Sequence, residues 1–346
     1  AMKGIAAESL ERHFAAHVPG AVPPLRFEAI VGGHSNLTYH VFDAAGHRFV
    51  LRRPPTGAVL ATAHDMGREH RILSALVGTA VPVPKPLALC LDPAVNDAPF
   101  YVMAYVPGTV LSGPEMADRS VPAERREALA LHAVEVLAAL HRLDPDSVGL
   151  GDLGRREAYL ARQLARWKTQ WEKTKTRELP EMEAAHAMLA ARMPEQQATA
   201  IVHGDFRIGN LLVDGLAGRV QAVLDWELCT LGDPLADLGY LLNDWHDPGD
   251  PIPPSGGTGV PPICCGGFPP RAVLLARYEA LTGFSTAPIA YYRAFQYWRL
   301  AAIVEGVLAR YMKSVMGEGG NVEAFRLQIE SLARAAVELA SSDALR

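Results

Sequence analysis

The stretch that decides the fold is Ile201–Glu227, IVHGDFRIGNLLVDGLAGRVQAVLDWE. Two apolar runs flank a segment dense in carboxylate, amide and histidine. Gly204 and Gly209 mark a turn that holds Asp205 and, five residues later, Asn210. The following LLVDGLAGRVQAVL reads as a hairpin with turns near Asp214-Gly215 and Ala217-Gly218. Such a hairpin returns Asp225, at the end of the strand Ala222–Leu224, to the side of Asn210. Asp, Asn and Gly are ordinary turn residues, so no one of them is informative alone. Their joint spacing is.

Outward from this stretch, the chain changes character once. On its N-terminal side, residues 5–17 form an amphipathic helix, and Phe27–Val31, Leu37–Phe42 and Arg48–Arg52 read as strands separated by Gly32-Gly33 and Ala45-Gly46. Residues 63–77 have helical periodicity, with Met66, Ile72, Leu73 and Leu76 on one side. The prolines of VPVPKP (81–86) keep that segment extended. Strands at Leu87–Leu91 and Phe100–Val106 follow. Beyond them, helices are expected at 122–143, 155–175, 181–192, 234–245, 270–282, 288–313 and 320–341. The Pro/Gly-rich residues 247–270 are long for a structureless loop and read as either a functional cover or a mobile segment.

The 346 residues suffice for one large domain or two lobes, with 49% hydrophobic residues for a core. A formal net charge of -5 argues against general nucleic-acid binding. No apolar run is long enough to span a bilayer, and the N-terminus turns charged too early for a signal peptide. Cys90, Cys229, Cys264 and Cys265 lack CxxC spacing. A cytoplasmic protein without nucleic-acid or membrane partners is therefore expected, its oligomeric state open.

The chemistry of the quoted stretch divides into two tasks. Asn210 and Asp225 offer hard oxygen donors of the kind Mg²⁺ prefers, and Asp205 is left to accept a proton from a hydroxyl. Phosphoryl transfer needs this division. H-G-D-x-x-x-x-N followed by D-W-E repeats the spacing of the protein-kinase catalytic and metal-binding motifs. On HGDFRIGN and LDWE, with FVLRRPP, VPVPKP, YVPG and GFPPRAVLLARYEALTG in support, the chain resembles the aminoglycoside phosphotransferase-type kinases. It is most similar to the branch related to the phosphotransferase domain joined to some acyl-CoA dehydrogenases. The resemblance covers nearly the whole chain.

It implies an α+β, protein-kinase-like, two-lobed fold. Residues 1–106 would form a small antiparallel β lobe that binds nucleotide, and residues 107–346 a large, mainly helical lobe with the catalytic and substrate sites. It also implies ATP and Mg²⁺ as cofactors. The position that usually carries a phosphate-binding lysine is Arg52, with Glu69 as its helix partner; arginine can still clamp phosphate in bidentate fashion. Arg53 should point the other way, to the surface. GGHSNLTY (32–39) is no Walker loop, but Ser35 and Asn36 can meet phosphate. PFYVMAYVPG (99–108) resembles the lobe-connecting hinge, with Met103 behind the adenine and the backbone of Tyr105 and Val106 at its edge. Adenine and guanine are not distinguished by such backbone contacts.

Other positions are read structurally. His203 is expected to donate a side-chain hydrogen bond that holds the loop, and Asp233, a good N-cap, and Asp237 to brace it. Glu227 either bonds the loop or approaches a metal through water. The expected activity is transfer of the γ-phosphate to a small-molecule hydroxyl. The acceptor lies between a hydroxyacid or hydroxyacyl thioester and an aminoglycoside-like amino sugar. Eight basic residues between 155 and 177 favour an anion, and Asp244, Asp247 and Asp250 a cation. Two other classes stand beside it. One is a nucleotide-binding pseudokinase with a regulatory role. The other is a metallohydrolase built on His203, Asp205 and His246, a spacing that fits no familiar zinc site.

Overall fold

The structure, a computed structural model, describes residues 2–31, 35–57, 64–248, 250, 260–314 and 321–342. The chain divides into two compact units: Ala1–Gly108 with Gln221–Leu228, and Thr109–Val220 with Cys229–Arg346. The first unit thus ends two residues beyond the expected boundary at 106 and also takes in residues 221–228. They attach there through the Val223 N–H, which donates to the Pro82 carbonyl at 2.9 Å.

The first unit contains α1 (Ala7–His17), β1 (Arg26–Ala29), β2 (Leu37–Phe42), β3 (Arg48–Arg53), α2 (Met66–Leu76), β4 (Pro86–Cys90), α3 (Pro93–Asn96) and β5 (Phe100–Ala104). The strands form one antiparallel sheet in the order β1-β2-β3-β5-β4. Strand periodicity gives its two faces different work. Phe49 and Leu51 of β3, with Phe100 and Val102 of β5, pack with Tyr39, Val41, Leu10 and Phe14 in the core. The alternate residues Val50 and Arg52 pair with Met103 and Tyr101 on the opposite face. Helix α2 starts where the Asp65 side chain accepts the Arg68 N–H. Its buried stripe of Met66, Ile72, Leu73 and Leu76 also includes Glu69, a carboxylate in an apolar register.

Arg53 corrects one expectation. It points away from Arg52, but it is buried, not at the surface. Its guanidinium donates to the carbonyls of Gly4, Asn96 and Pro54 at 2.8–3.0 Å, which is how a buried cation without a carboxylate partner is satisfied.

The second unit contains β6 (Thr109–Val110), α4 (Pro114–Ser120), α5 (Arg126–Arg142), α6 (Tyr159–Thr174), α7 (Pro180–Ala191), β7 (Ala200–Val202), β8 (Leu211–Asp214), the first two residues of β9 (Arg219–Val223), β10 (Thr230–Gly232), α8 (Pro234–Asn243), α9 (Arg271–Thr282), α10 (Ile289–Ser314) and α11 (Val322–Ser341). The hairpin read from the sequence is β8–β9, and β9 leads into the 221–228 segment of the first unit. The aromatic run of α10 is core: Tyr291, Tyr292, Phe295 and Trp298 are buried. Tyr291 donates to the Leu189 carbonyl, Tyr292 to Asp233 and Trp298 to the Met182 carbonyl. Of the 247–270 segment, Gly249 and residues 251–259 lie outside the described residues, and Pro262–Cys265 form a 3-10 turn.

Two features of α8 generate tests. A Cβ on Gly239 would lie 2.9 Å from the Tyr292 backbone carbon and Cβ. Gly239→Ala is therefore expected to lower stability by about 1–3 kcal/mol, read from the denaturant midpoint. Asp233 caps α8 and accepts from the Leu235 N–H and the Tyr292 hydroxyl. Burial pushes its carboxyl up to about 6 despite both bonds. The folded state then holds this proton longer than the unfolded state does, so stability falls as pH rises from about 4 to 6. Asp233→Asn should remove that fall, worth at most about 3 kcal/mol, in urea melts at pH 4 and 6.5.

Candidate active site

In the second unit, β7 ends at Val202 and the chain turns at Gly204, whose φ of +87° requires glycine. The turn is held from α8. Asp237 accepts the His203 N–H at 2.7 Å and the Gly204 N–H at 2.9 Å. His141 lies 3.0 Å from the same carboxylate and 2.7 Å from the Tyr278 hydroxyl. Burial pushes the Asp237 carboxyl up, but His141, His203 and the Gly204 amide outweigh it and hold the group below its usual value. The bracing role expected of Asp237 is observed. His203 holds the loop too: its Nδ1 accepts the Asp205 N–H at 3.1 Å.

Asp205 is then fixed from three sides. Asn210 donates its side-chain N–H to the Asp205 carbonyl and to Oδ2, both at 2.8 Å. The Tyr240 hydroxyl bonds the same carboxylate, and Arg207 Nε lies 3.6 Å from Oδ1. Because the Asn210 amide nitrogen is committed to Asp205, its oxygen remains the amide's acceptor end. That is the atom a hard metal ion takes.

Tyr240 was not singled out in the sequence, and Asp244 only as one of three acids that would suit a cationic acceptor. Both extend the series begun by Asp237. At positions i, i+3 and i+7 of one helix face, Asp237 meets His203 and Gly204, Tyr240 meets Asp205, and Asp244 accepts the Ile208 N–H. Burial pushes Asp244 up to about 7, against Arg207 and with help from Asp205. Its Oδ2 is buried with no hydrogen-bond partner. The helical spacing from Asp237 is the signal that identifies them.

In the first unit, five expected residues come together and Glu227 joins them. Arg52 donates Nε to Glu69 Oε2 at 2.8 Å and Nη2 to Asp225 Oδ1 at 2.7 Å. Tyr101 donates to Glu69 Oε2 at 2.9 Å. Asn36 donates to Glu69 at 3.2 Å and to Glu227 at 3.1 Å, and Ser35 donates to Glu227 at 2.8 Å. Here the side chains of Ser35 and Asn36 hold a carboxylate, an anion on the same donors that were expected to meet phosphate. Asp225 sits at φ +62°, a left-handed backbone that a non-glycine residue adopts at some cost. Met103 lies on the sheet face of Arg52 and Tyr101. Tyr105 carries the Arg48 guanidinium 3.9 Å above its ring, and Val106 is half-buried beyond it.

One guanidinium thus bonds two carboxylates, Glu69 and Asp225, and feels a third, Glu227, only electrostatically. Burial raises the pKa of Glu69 and of Glu227, and Asp225 adds to both. Burial works against the Arg52 charge, but Tyr101, Glu69, Asp225 and Glu227 outweigh it and keep the guanidinium firmly protonated. The cluster is short of positive charge, and its donors are oxygens. Among the described residues no three His, Cys, Asp or Glu side chains are grouped to hold a metal ion, so the His203–Asp205–His246 zinc arrangement is not formed.

Residues 26–256 match the model of the phosphotransferase enzyme family APH. The chain belongs to that family. Among related sequences, mouse acyl-CoA dehydrogenase family member 10 is 35% identical over 95% of this chain and 30% of its own length. Chicken acyl-CoA dehydrogenase family member 11 is 34% identical over 96% of this chain and 43% of its own length. The chain therefore spans well under half of these curated relatives. A Ralstonia eutropha protein with a provisional description as an aminoglycoside phosphotransferase superposes with a TM-score of 0.80 at 33% identity, over 96% of this chain and 97% of that one. The aminoglycoside phosphotransferase APH(4)-Ia, in a ternary complex with AMP-PNP and hygromycin B, shares the fold with a TM-score of 0.59 at 17% identity, over 94% and 98%. The fold is that of the kinase-like phosphotransferases, α+β with an antiparallel N-terminal sheet and a mainly helical remainder.

Four of the eight cations of the basic 155–177 segment are ion-paired within the chain. Arg156 pairs with Asp146, Lys168 with Glu172 and Glu183, Lys175 with Glu172 and Glu178, and Arg177 with Glu305 and Glu330. Arg271 pairs with Asp247 and Asp250 and donates to the Trp245 carbonyl. Among the described residues no helix is long and apolar enough to cross a membrane. Asp237→Ala would strand two backbone donors and His141. It is expected to cost about 3–5 kcal/mol at pH 7 in a denaturant melt, and the difference should shrink below about pH 4 as the wild-type carboxylate protonates.

Proposed function

We propose that the chain is an ATP-dependent small-molecule O-phosphotransferase with Asp205 as its base and Asn210 and Asp225 as ligands of magnesium. The observation that carries this reading is Asp205. It is held by Asn210 and Tyr240 on a loop that Asp237 fixes from behind, at the position where the family motif places the proton acceptor. A base for phosphoryl transfer has to be oriented more than it has to be strong.

The acceptor O–H gives its proton to Asp205, its oxygen forms the new bond to the γ-phosphorus, and the bond from that phosphorus to ADP breaks. Arg52 turns its fork to the phosphates while Glu69 keeps it in place. Ser35 and Asn36 border the phosphates, and Met103, Tyr105 and Val106 hold the base. Bound magnesium would supply positive charge against the phosphate oxygens. The oxygen-only donors, Asn210 Oδ1 and the Asp225 carboxylate, and the charge shortage around Arg52 fit that ion.

For the acceptor we favour a hydroxyacid or hydroxyacyl thioester over an antibiotic amino sugar. The support is the identity of 35% to acyl-CoA dehydrogenase family member 10, against 16–20% to the solved aminoglycoside and macrolide phosphotransferases; the 33% identical Ralstonia eutropha protein carries only a provisional aminoglycoside phosphotransferase description. ATP is favoured over GTP, although an aminoglycoside 2'-phosphotransferase-IIIa of the same fold is known in complex with GDP.

The test is a panel of hydroxyacids, their acyl thioesters and aminoglycosides incubated with Mg-ATP and read by mass spectrometry for a product heavier by one phosphoryl group. Asp205→Ala should lower kcat by about 10²–10⁴-fold with nucleotide affinity kept. Asp225→Ala should weaken Mg-ATP binding itself. Full activity in Asp205→Ala would refute the assignment of the base.

A further inference from the structure

The contact between Arg52 and Asp225 has a consequence for the order in which ligands bind, and it rests on the nucleotide site proposed above. Arg52 lies between two carboxylates of the first unit. Its Nε holds Glu69 at 2.8 Å and its Nη2 holds Asp225 Oδ1 at 2.7 Å. The Arg52 side chain is 12% exposed and that of Asp225 27%. Both bonds are charge-assisted, short, and sheltered from the screening that weakens surface pairs. Asp225 therefore has a cation on one of the oxygens that a metal ion would need. A divalent ion arriving alone would have to share that carboxylate with the guanidinium at close range, and like charges so placed repel.

The surroundings explain why the guanidinium is not simply displaced. Glu69 is buried and faces Arg52 from α2, tied by the Tyr101 hydroxyl and the Asn36 amide. Losing Arg52 altogether would leave a buried carboxylate without a cation, which is costly. Glu69 therefore anchors Nε while the Nη atoms are free to exchange partners. A lysine ammonium is a point charge and does not span two fixed carboxylates with a rigid fork; an arginine does. Glu227 is committed elsewhere, to Ser35 and Asn36, so Asp225 is the carboxylate that Arg52 controls.

We propose that Arg52 is the coupling residue of this site: it withholds Asp225 from a divalent cation until a polyphosphate draws its Nη atoms away, pivoting on Glu69. The Arg52–Asp225 hydrogen bond breaks, the guanidinium re-pairs with phosphate oxygen, and the released Asp225 oxygen becomes a metal ligand. No covalent bond changes.

The experiment measures free Mn²⁺ by electron paramagnetic resonance with the full chain, with and without ADP, and measures ADP binding by calorimetry. Without ADP, Asp225→Asn should bind Mn²⁺ within about twofold of the wild type, because Asp225 is not yet available. With ADP, the same substitution should weaken Mn²⁺ binding at least about tenfold. Arg52→Met should tighten Mn²⁺ binding without ADP by about tenfold, while Arg26→Gln, which removes an exposed charge away from the cluster, should not. A loss of Mn²⁺ affinity in Asp225→Asn without ADP overturns the proposal. So does an Arg52→Met chain that binds Mn²⁺ as Arg26→Gln does. If Arg52→Met does not fold, the two Asp225→Asn arms still decide. Failure of wild-type ADP binding would sink the nucleotide site itself. Normal ADP binding with an Asp225 effect in both arms would sink only the coupling.

Discussion

Asp237 receives two consecutive backbone N–H groups, from His203 and Gly204, and a histidine. Two successive amides can point at one carboxylate only where the backbone turns sharply, which is the reason for the positive φ of Gly204. The next residue is Asp205. Its place is thus set by the geometry behind it, and what remains to be fixed is the direction of its carboxylate. Asn210 and Tyr240 do that. The second unit turns the burial of one charge into the orientation of another, and the helix that supplies Asp237 also supplies Tyr240 and Asp244 at helical spacing.

The first unit faces the opposite electrostatic problem. Two carboxylates share one guanidinium with a third close enough to act on it electrostatically, and burial works against the charge of Glu69, Glu227 and Arg52 alike. Local rules are broken at the same points. Glu69 stands in an apolar helix stripe, and Asp225 adopts a left-handed backbone. In the second unit, Asp244 places a carboxyl at a helix C-terminus, where the dipole disfavours it, and leaves one oxygen buried without a partner. Departures of this kind concentrate where a binding or catalytic task overrides stability. Here they fall on or beside the motif residues, and they reach the β2–β3 pairing only at its Arg52–Arg53 end; its other four register pairs carry no such departure.

The same contrast governs what could be read from the sequence. Strands β2 and β3 and helices α2, α5 and α8 to α11 carry long, regular patterns closed by turns or caps, and they were legible to within a few residues. The elements β6, β10, α3 and α4 were not. They are two to seven residues long, too short to show a period, and β10 exists because β7 pairs with it across some thirty residues of sequence. The Asp205–Asn210–Asp225 spacing was legible because a motif ties it together locally. The burial of Arg53 was not, since its partners Gly4 and Asn96 are remote in sequence. Nor was the capture of Glu227 by Ser35 and Asn36, for the same reason: long-range hydrogen bonds leave no periodicity.

Charge near Asp205 bears on which acceptor the proposed reaction uses. The basic 155–177 segment gave the sequence-based case for an anionic acceptor, but half of its eight cations pair with Asp146, Glu172, Glu178, Glu183, Glu305 or Glu330, and Arg162 and Arg166 are engaged by the Arg155 carbonyl and the Trp167 ring. That segment therefore contributes little. Arg207 contributes more. It is 41% exposed on its side chain and lies 3.6 Å from the Asp205 carboxylate. A polycationic amino sugar presenting its hydroxyl to Asp205 would bring its ammonium groups toward this guanidinium, where like charges repel. A hydroxyacid places its carboxylate a few atoms from its hydroxyl, within reach of the same guanidinium, and arginine is the side chain best shaped to grip a carboxylate. Asp244 on the other side does not reverse the balance, because burial lifts its carboxyl to about 7 and leaves it only partly charged at neutral pH. The Arg207 charge is thus an argument for the anionic acceptor proposed above that does not depend on the acyl-CoA dehydrogenase relatives, set against the negative charge of Asp205 beside it.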